Sequence, residues 1–372
     1  MKLCSMLRCV TMTLLALGFV TVEVEADDQA RVERTRAEVE AIIKQEGSKP
    51  PDWWDSVELK YPKSLDLSWP VRLPQGTPWN ANRNVGQYIW DVINPNPSRW
   101  KEGIKLVNHL MILNKDDPAK IERSLDTLGR MFHDLLEDWA RAAFWWRKSE
   151  QMGGFAPPVK LAHCYWKLGC KEMAVEILLE MERYYVPEAS EIRLWGEMGE
   201  VDKALELAES AAQEGWADEN YLAAGDVCRQ AGRYAQAATY YQKVLALPDL
   251  APRGHGNGPE RDRPKERAQA NLQAMKLFDA LELKRVPDGA YTSNSIAYAG
   301  QLYVEVSVRA GRIESVKVAK HEERQFYSAF TDTIRQIVSE QSVKGIDATT
   351  GATITSEAII NATAKALAAG MK

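Results

Sequence analysis

Near the C-terminus ten residues, Asp347-Ala348-Thr349-Thr350-Gly351-Ala352-Thr353-Ile354-Thr355-Ser356, gather hydroxyls among small side chains, with nothing bulky before Ile354. The run holds no general base, no thiol and no metal-ligand spacing, so it cannot activate a nucleophile by itself. Its chemistry is that of a substrate: the Thr353 hydroxyl is offered to another enzyme's active site. Gly351 and Ala352 let such a site approach the backbone closely, and Asp347 stands near enough to orient a hydroxyl or share a cation. A plainer reading stands beside it, in which Thr355 or Ser356 N-caps a final helix that continues through Glu357 and the apolar Ile359-Ile360.

The motif and its surroundings resemble the FMN-binding domain of the flavin-carrying subunits of the Na+-pumping quinone reductase and Rnf complexes. That family's Asp-x-x-Ser/Thr-Gly-Ala-Thr segment matches Asp347 through Thr353. The likeness runs from about Val286 to Leu367 and takes in Pro287-Asp288-Gly289-Ala290-Tyr291 and His321-Glu322-Glu323. It implies FMN joined through a phosphoester to Thr353, delivered by a separate flavin transferase that uses FAD and Mg2+ and releases AMP. With a flavin there, the neighbours are expected to take roles set by their own side chains. Gly351 and Ala352 give access and backbone donors, while Thr350 and Thr355 donate hydroxyl hydrogen bonds to the phosphate. His321, at a strand end, serves the flavin or the structure. Tyr291 and Tyr298 meet the isoalloxazine ring or fill the core. No catalytic residue and no metal ligand is assigned.

A phosphoester anchor leaves the isoalloxazine ring free to exchange electrons and keeps the cofactor from being lost outside the cytoplasm. The function this implies is an exported electron-transfer flavoprotein, more a carrier than a stand-alone catalyst, with a redox partner docked elsewhere on the chain. The rivals are a protein-interaction scaffold with a non-covalent or vestigial flavin domain, and a flavin-dependent reductase acting on a small substrate. The likeness covers only the C-terminal quarter, so ion pumping is not carried over.

The elements that must position this motif begin far upstream. The chain has 372 residues, 45% hydrophobic and 27% charged, enough for two or three packed domains. A formal net charge of -5 leaves no basic excess for phosphate backbones, which argues against a nucleic-acid partner. Lys2 and Arg8, the apolar run Val10 to Val22 and Val24-Glu25-Ala26 have the layout of a secretory signal cleaved before Asp27. The mature protein is expected in the periplasm or on the outer face of the cytoplasmic membrane, with an uncleaved N-terminal anchor and a membrane complex as the alternative. Cys164, Cys170 and Cys228 then remain, without the Cys-x-x-Cys spacing of haem or iron-sulfur attachment. They read as small buried hydrophobes, one disulfide among them being the other option.

A charged helix is expected over 28–46, then a Trp- and Pro-rich stretch of irregular connections from Asp52 to Pro97, whose tryptophans read as gap fillers more readily than as a ligand groove. Ser98-Arg99-Trp100 opens a helix to Leu113. His109, His133 and His163 read as packed or surface histidines. From Ala119 the sequence repeats: Ala142, Ala174, Ala204 and Ala237 are spaced near the tetratricopeptide period. The copy with Gly199 and Ala204 departs, with Ile192 at a small-residue position and a short first helix. Such repeats stack into a curved array with a concave face, on which no basic or aromatic row declares a ligand. Pro252 to Pro259 punctuates the chain, and a helix reaching Leu283 is expected to cap the array.

Beyond Val286 the period becomes two. Leu302, Val304, Val306 and Val308 alternate with polar partners, Ala310-Gly311 makes a tight turn, and Ile313 to Ala319 returns. Two helices follow, one ending near Gln341 and one starting near Thr355. The expected fold is multidomain: a signal (1–26), a helical and Trp/Pro-rich region (27–118), an all-α tetratricopeptide-like solenoid (119–250), a linker with capping helix (251–285), and a small α+β FMN-binding domain with an antiparallel sheet (286–372).

Overall fold

A computed structural model describes residues 32–70, 84–248, 263–325, 327–346, 348 and 352–371. The signal expected over 1–26, Trp79, the run Pro252–Pro259, and Asp347, Thr350 and Gly351 of the motif lie outside the described residues. Glu33–Lys372 packs as one compact unit.

The charged helix starts later than its composition suggests, at Arg36. Thr35 and Glu38 form a reciprocal capping box, in which the Thr35 hydroxyl accepts from the Glu38 amide and the Glu38 carboxylate accepts from the Thr35 amide at 2.8 Å. That exchange satisfies orphan donors and fixes the boundary of α1 (Arg36–Gly47). After it come α2 (Val85–Tyr88), continued by a π-helical turn Ile89–Ile93, and α3 (Trp100–Leu113).

Eight helices then form four hairpins: α4 (Pro118–Asp134) with α5 (Trp139–Gln151), α6 (Pro158–Lys167) with α7 (Lys171–Met181), α8 (Ala189–Glu197) with α9 (Val201–Ala211), and α10 (Ala217–Gln230) with α11 (Tyr234–Ala246). Ala142, Ala174, Ala204 and Ala237 sit on the second helices and are fully buried, as helix-closing residues should be. Gly225 serves the same end, because a Cβ there would come within 2.4 Å of the Tyr241 ring. The departing third copy still closes. Its first helix is only nine residues long and buries Ile192 completely, while Gly196 makes room for Val227 of the next hairpin.

Helix α12 (Pro264–Phe278) packs on α11, as a cap would, and does more. Its Ala268 belongs to the core of the helical region, whereas Ala274 and Phe278 belong to a second core formed with the C-terminal sheet. One helix thus serves two cores and joins the C-terminal domain to the array in one compact unit.

The sheet is a meander of β1 (Gly289–Ile296), β2 (Gln301–Arg309) and β3 (Arg312–Lys320), antiparallel in the order β1-β2-β3. Leu302, Val304, Val306 and Val308 all point inward. Ala310 and Gly311 both carry positive φ, the twist that a two-residue hairpin turn requires. A register shift beside Ser307/Val308 lets Ile313 and Val316 both face inward although three positions apart. Helices α13 (Ala329–Glu340) and α14 (Thr353–Gly370) cover the sheet. The all-α region followed by a small α+β domain is therefore the observed architecture. Cys164, Cys170 and Cys228 are buried and free, and among the described residues no helix is long and apolar enough to cross a membrane.

Candidate functional site

Helix α14 begins at Thr353, two residues before the position that its Thr and Ser content suggested. Thr355 does not cap it. It is the third helical residue, buried, and its hydroxyl donates to Glu323 Oε2 at 3.1 Å. Ala352 holds the N-cap position and brings no side-chain acceptor, so among the described residues no side chain caps the amides of the first turn. Thr353 lies at this helix start, half-buried. Uncapped amides and the positive end of the helix dipole make the place suited to an anion.

The same turn forms one wall of a cleft of about 340 Å³, in the range that binds small molecules. On this wall stand Ala352, Thr353, Ile354 and Thr355, with Tyr298, Glu323 and Gln325. Glu323 organises it: its Oε1 accepts from the Ala299 amide at 2.9 Å and its Oε2 from Thr355, so the β1–β2 turn and the start of α14 share one carboxylate. Burial raises the Glu323 pKa above the usual carboxylate value against these bonds, which favour the charged form. Tyr298, in the turn between β1 and β2, is brought into the cleft with 41% of its surface exposed.

The opposite wall comes from the helical hairpins: His133 at the end of α4, Lys160 and His163 on α6, Ser190, Arg193 and Glu197 on α8. Lys160 donates to both oxygens of Asp134 at 2.7 and 2.6 Å, His133 Nδ1 lies 2.5 Å from Asp134 Oδ1, and His133 Nε2 lies 2.9 Å from His163 Nδ1. Burial alone would raise the Asp134 pKa, yet Lys160 and His133 outweigh it and hold the carboxyl below its ordinary range. Burial pushes both histidines the other way, below their ordinary value, so both are neutral at pH 7. One hairpin further, Arg193 pairs with Asp226 at 2.9 Å. His133, His163, Arg193 and Asp226 stand on the first helices of the four hairpins at spacings of 30, 30 and 33 residues, a polar ladder at the repeat period. That spacing is the sequence signal for this wall. It does not stand out as a motif because the ladder mixes imidazole, guanidinium and carboxylate.

Below the cleft, Glu357, one turn beyond Thr353, is buried with Asn271 of α12 and Asn361. Asn271 Nδ2 donates to Glu357 Oε2 at 2.8 Å, and Asn271 Oδ1 accepts from Asn361 at 2.6 Å and from Arg229 at 3.1 Å. This network pins α14 to α12 and α10.

The other expected site residues fall elsewhere. Tyr291 donates its hydroxyl hydrogen to Pro287 O at 2.8 Å and packs its ring over Gly370, at the far end of an 18-residue helix that is roughly 27 Å long. It serves the core there. His321 packs its ring on Phe330 (4.4 Å between centroids) and on Tyr327, which meets Trp100 edge-on. From the His321-Glu322-Glu323 triplet it is Glu323 that reaches the cleft. Among the described residues no cluster of His, Cys, Asp and Glu could hold a metal ion.

A flavin mononucleotide fits what is present. A hydroxyl stands where a phosphate would be held by uncapped amides, and the facing wall buries a polar atom, His163 Nε2, that has no hydrogen-bond partner. Thr353 and the first turn of α14 would hold the phosphate, and the ring would supply electron transfer. No curated protein matches the chain. Residues 297–368 match the family model described as the FMN-binding domain, and this match within the C-terminal domain supports a flavoprotein.

Proposed function

We propose that this is an exported electron-transfer flavoprotein carrying FMN esterified to Thr353, with the helical hairpins docking a redox partner. The observation that carries the reading is Thr353 itself, a half-buried hydroxyl at an uncapped helix start that opens on a cleft. In the attachment step the Thr353 oxygen bonds to the FMN-side phosphorus of FAD and the P–O–P bond breaks. AMP leaves, and the hydroxyl proton passes to a base on the separate transferase, which also supplies Mg2+. No oxidation or reduction occurs, and the chemistry is positioning plus metal-assisted charge stabilisation in trans.

Support for a docked partner comes from exposed apolar side chains at the end of α7, Leu179, Tyr184, Tyr185 and Val186, beside a helical array of the kind that binds proteins. Support for export comes from the layout of residues 1–26. The test is intact mass and in-gel flavin fluorescence of full-length protein produced with a flavin transferase. One FMN ester is expected in the wild type and in Thr353→Ser, and none in Thr353→Ala. Fluorescence surviving in Thr353→Ala would move the attachment elsewhere, and none in any form would favour a scaffold.

A further inference from the structure

The hydrogen-bond roles along the buried histidine pair can be worked out from its ends. Asp134 is an acceptor only, since Lys160 grips both of its oxygens and keeps it ionised. His133 must therefore donate from Nδ1, which in a neutral ring leaves Nε2 as an acceptor. His163 must then donate from Nδ1, and its Nε2 is left with a bare lone pair. That nitrogen belongs to a side chain 6% exposed, has no partner, and sits on a ring that lines the cleft. Trp139 against His163 (4.9 Å) and Trp146 against His133 (5.4 Å) keep the surroundings apolar, so the neutral forms are favoured. His163, on the wall that faces Thr353 across the cleft, thus carries a buried acceptor without a partner.

An oxidised isoalloxazine ring has one N–H, the imide at N3; N1, N5 and the two carbonyl oxygens accept, and N10 carries the side chain. We propose that His163 Nε2 is the hydrogen-bond acceptor for the imide N–H of the flavin held at Thr353, and that Asp134 and His133 are positioning residues that fix its tautomer. The proposal rests on the flavin reading of Thr353, but its first test does not. The imide proton is more acidic in the electron-poor oxidised ring, so an acceptor there stabilises the oxidised form and favours it over the reduced one.

The first measurement uses full-length protein, unloaded, with 15N-labelled histidine. The chain has five histidines, which single His→Gln variants assign. Wild type is expected to show His133 and His163 neutral with the proton on Nδ1. Asp134→Asn offers an N–H in place of an acceptor and is expected to move both protons to Nε2. A wild-type His163 protonated on Nε2, or charged at pH 7, overturns the proposal. The second measurement is the midpoint potential of loaded protein. Replacing the acceptor in His163→Leu is expected to raise the reduced-to-oxidised ratio at fixed potential up to about tenfold, about 30 mV upward for a two-electron couple, while His163→Gln, which keeps an acceptor oxygen, stays near the wild type. An unchanged potential in folded, loaded His163→Leu overturns the proposal. Should the Leu variant fail to fold, loaded Asp134→Asn gives the same reading through its own potential, again expected to rise. Wild type that takes up no flavin at all removes the Thr353 reading, and this one falls with it.

Discussion

The Thr355 hydroxyl and the Glu323 carboxylate are joined by a 3.1 Å hydrogen bond that spans 32 residues of sequence. It makes the first turn of the last helix answer to the segment leaving β3, and through Ala299 to the turn that carries Tyr298. Glu323→Ala strands a buried hydroxyl and a backbone amide, which costs about 1–3 kcal/mol for each unsatisfied group. It is expected to lower both unfolding free energy in denaturant and the fraction of flavin-loaded protein. Glu323→Gln keeps an acceptor oxygen and is expected to lose less of each.

Asn271 satisfies Arg229, Asn361 and Glu357 at once where α10, α12 and α14 meet. Asn271→Ala leaves three buried polar groups short of a partner, a loss on the order of 3 kcal/mol or more. Calorimetry is expected to show one transition for wild-type Glu33–Lys372 and, in the variant, separate melting of the C-terminal domain and the helical hairpins.

Glu357 gives a pH dependence of fixed sign. Burial, then the nearby Asp226 carboxylate, raise its folded-state pKa well above the usual value near 4.3. The unfolded chain therefore releases this proton first, so the stability associated with it is complete below about pH 4.3 and is lost as pH rises toward the folded value. Glu357→Gln cannot ionise. The difference in unfolding free energy between variant and wild type is expected to move in the variant's favour from pH 5 to 8, by at most about 1.4 kcal/mol per pH unit.

Gly225→Ala tests the closure of the fourth hairpin. The added methyl meets the Tyr241 ring within 2.4 Å, and Tyr241 is held by its hydrogen bond to Asp226. Overpacking of this kind costs about 1–3 kcal/mol, partly offset by roughly 1 kcal/mol of helix propensity gained over glycine. A net loss of stability in urea is expected.

Much of this molecule could be read in its sequence where the signal is local. The alternation from Leu302 to Val308 and the Ala310-Gly311 turn fix a hairpin over a few residues. The alanine spacing marks the helix hairpins for the same reason, since each needs one small residue at its crossing. Boundaries were harder. α1 starts at a capping box rather than where charge and apolar residues begin, and α14 starts at Thr353 because Thr355 is drawn to Glu323. The cleft was the least legible part. One wall comes from helices 160 to 220 residues upstream of Thr353, roughly, and such a meeting depends on how the array stacks. Tyr291, attractive as an aromatic beside the motif family's glycine, is carried away by the length of α14.

Because α12 lends side chains to both cores, the cleft wall that carries Thr353 is built into the same packed unit as the hairpins. With FMN at Thr353 as proposed, a redox partner would have to come to it, and the tunnelling distance would be set by where that partner lands on the hairpins. Variation along that landing face would retune the rate while leaving the cofactor's own surroundings untouched.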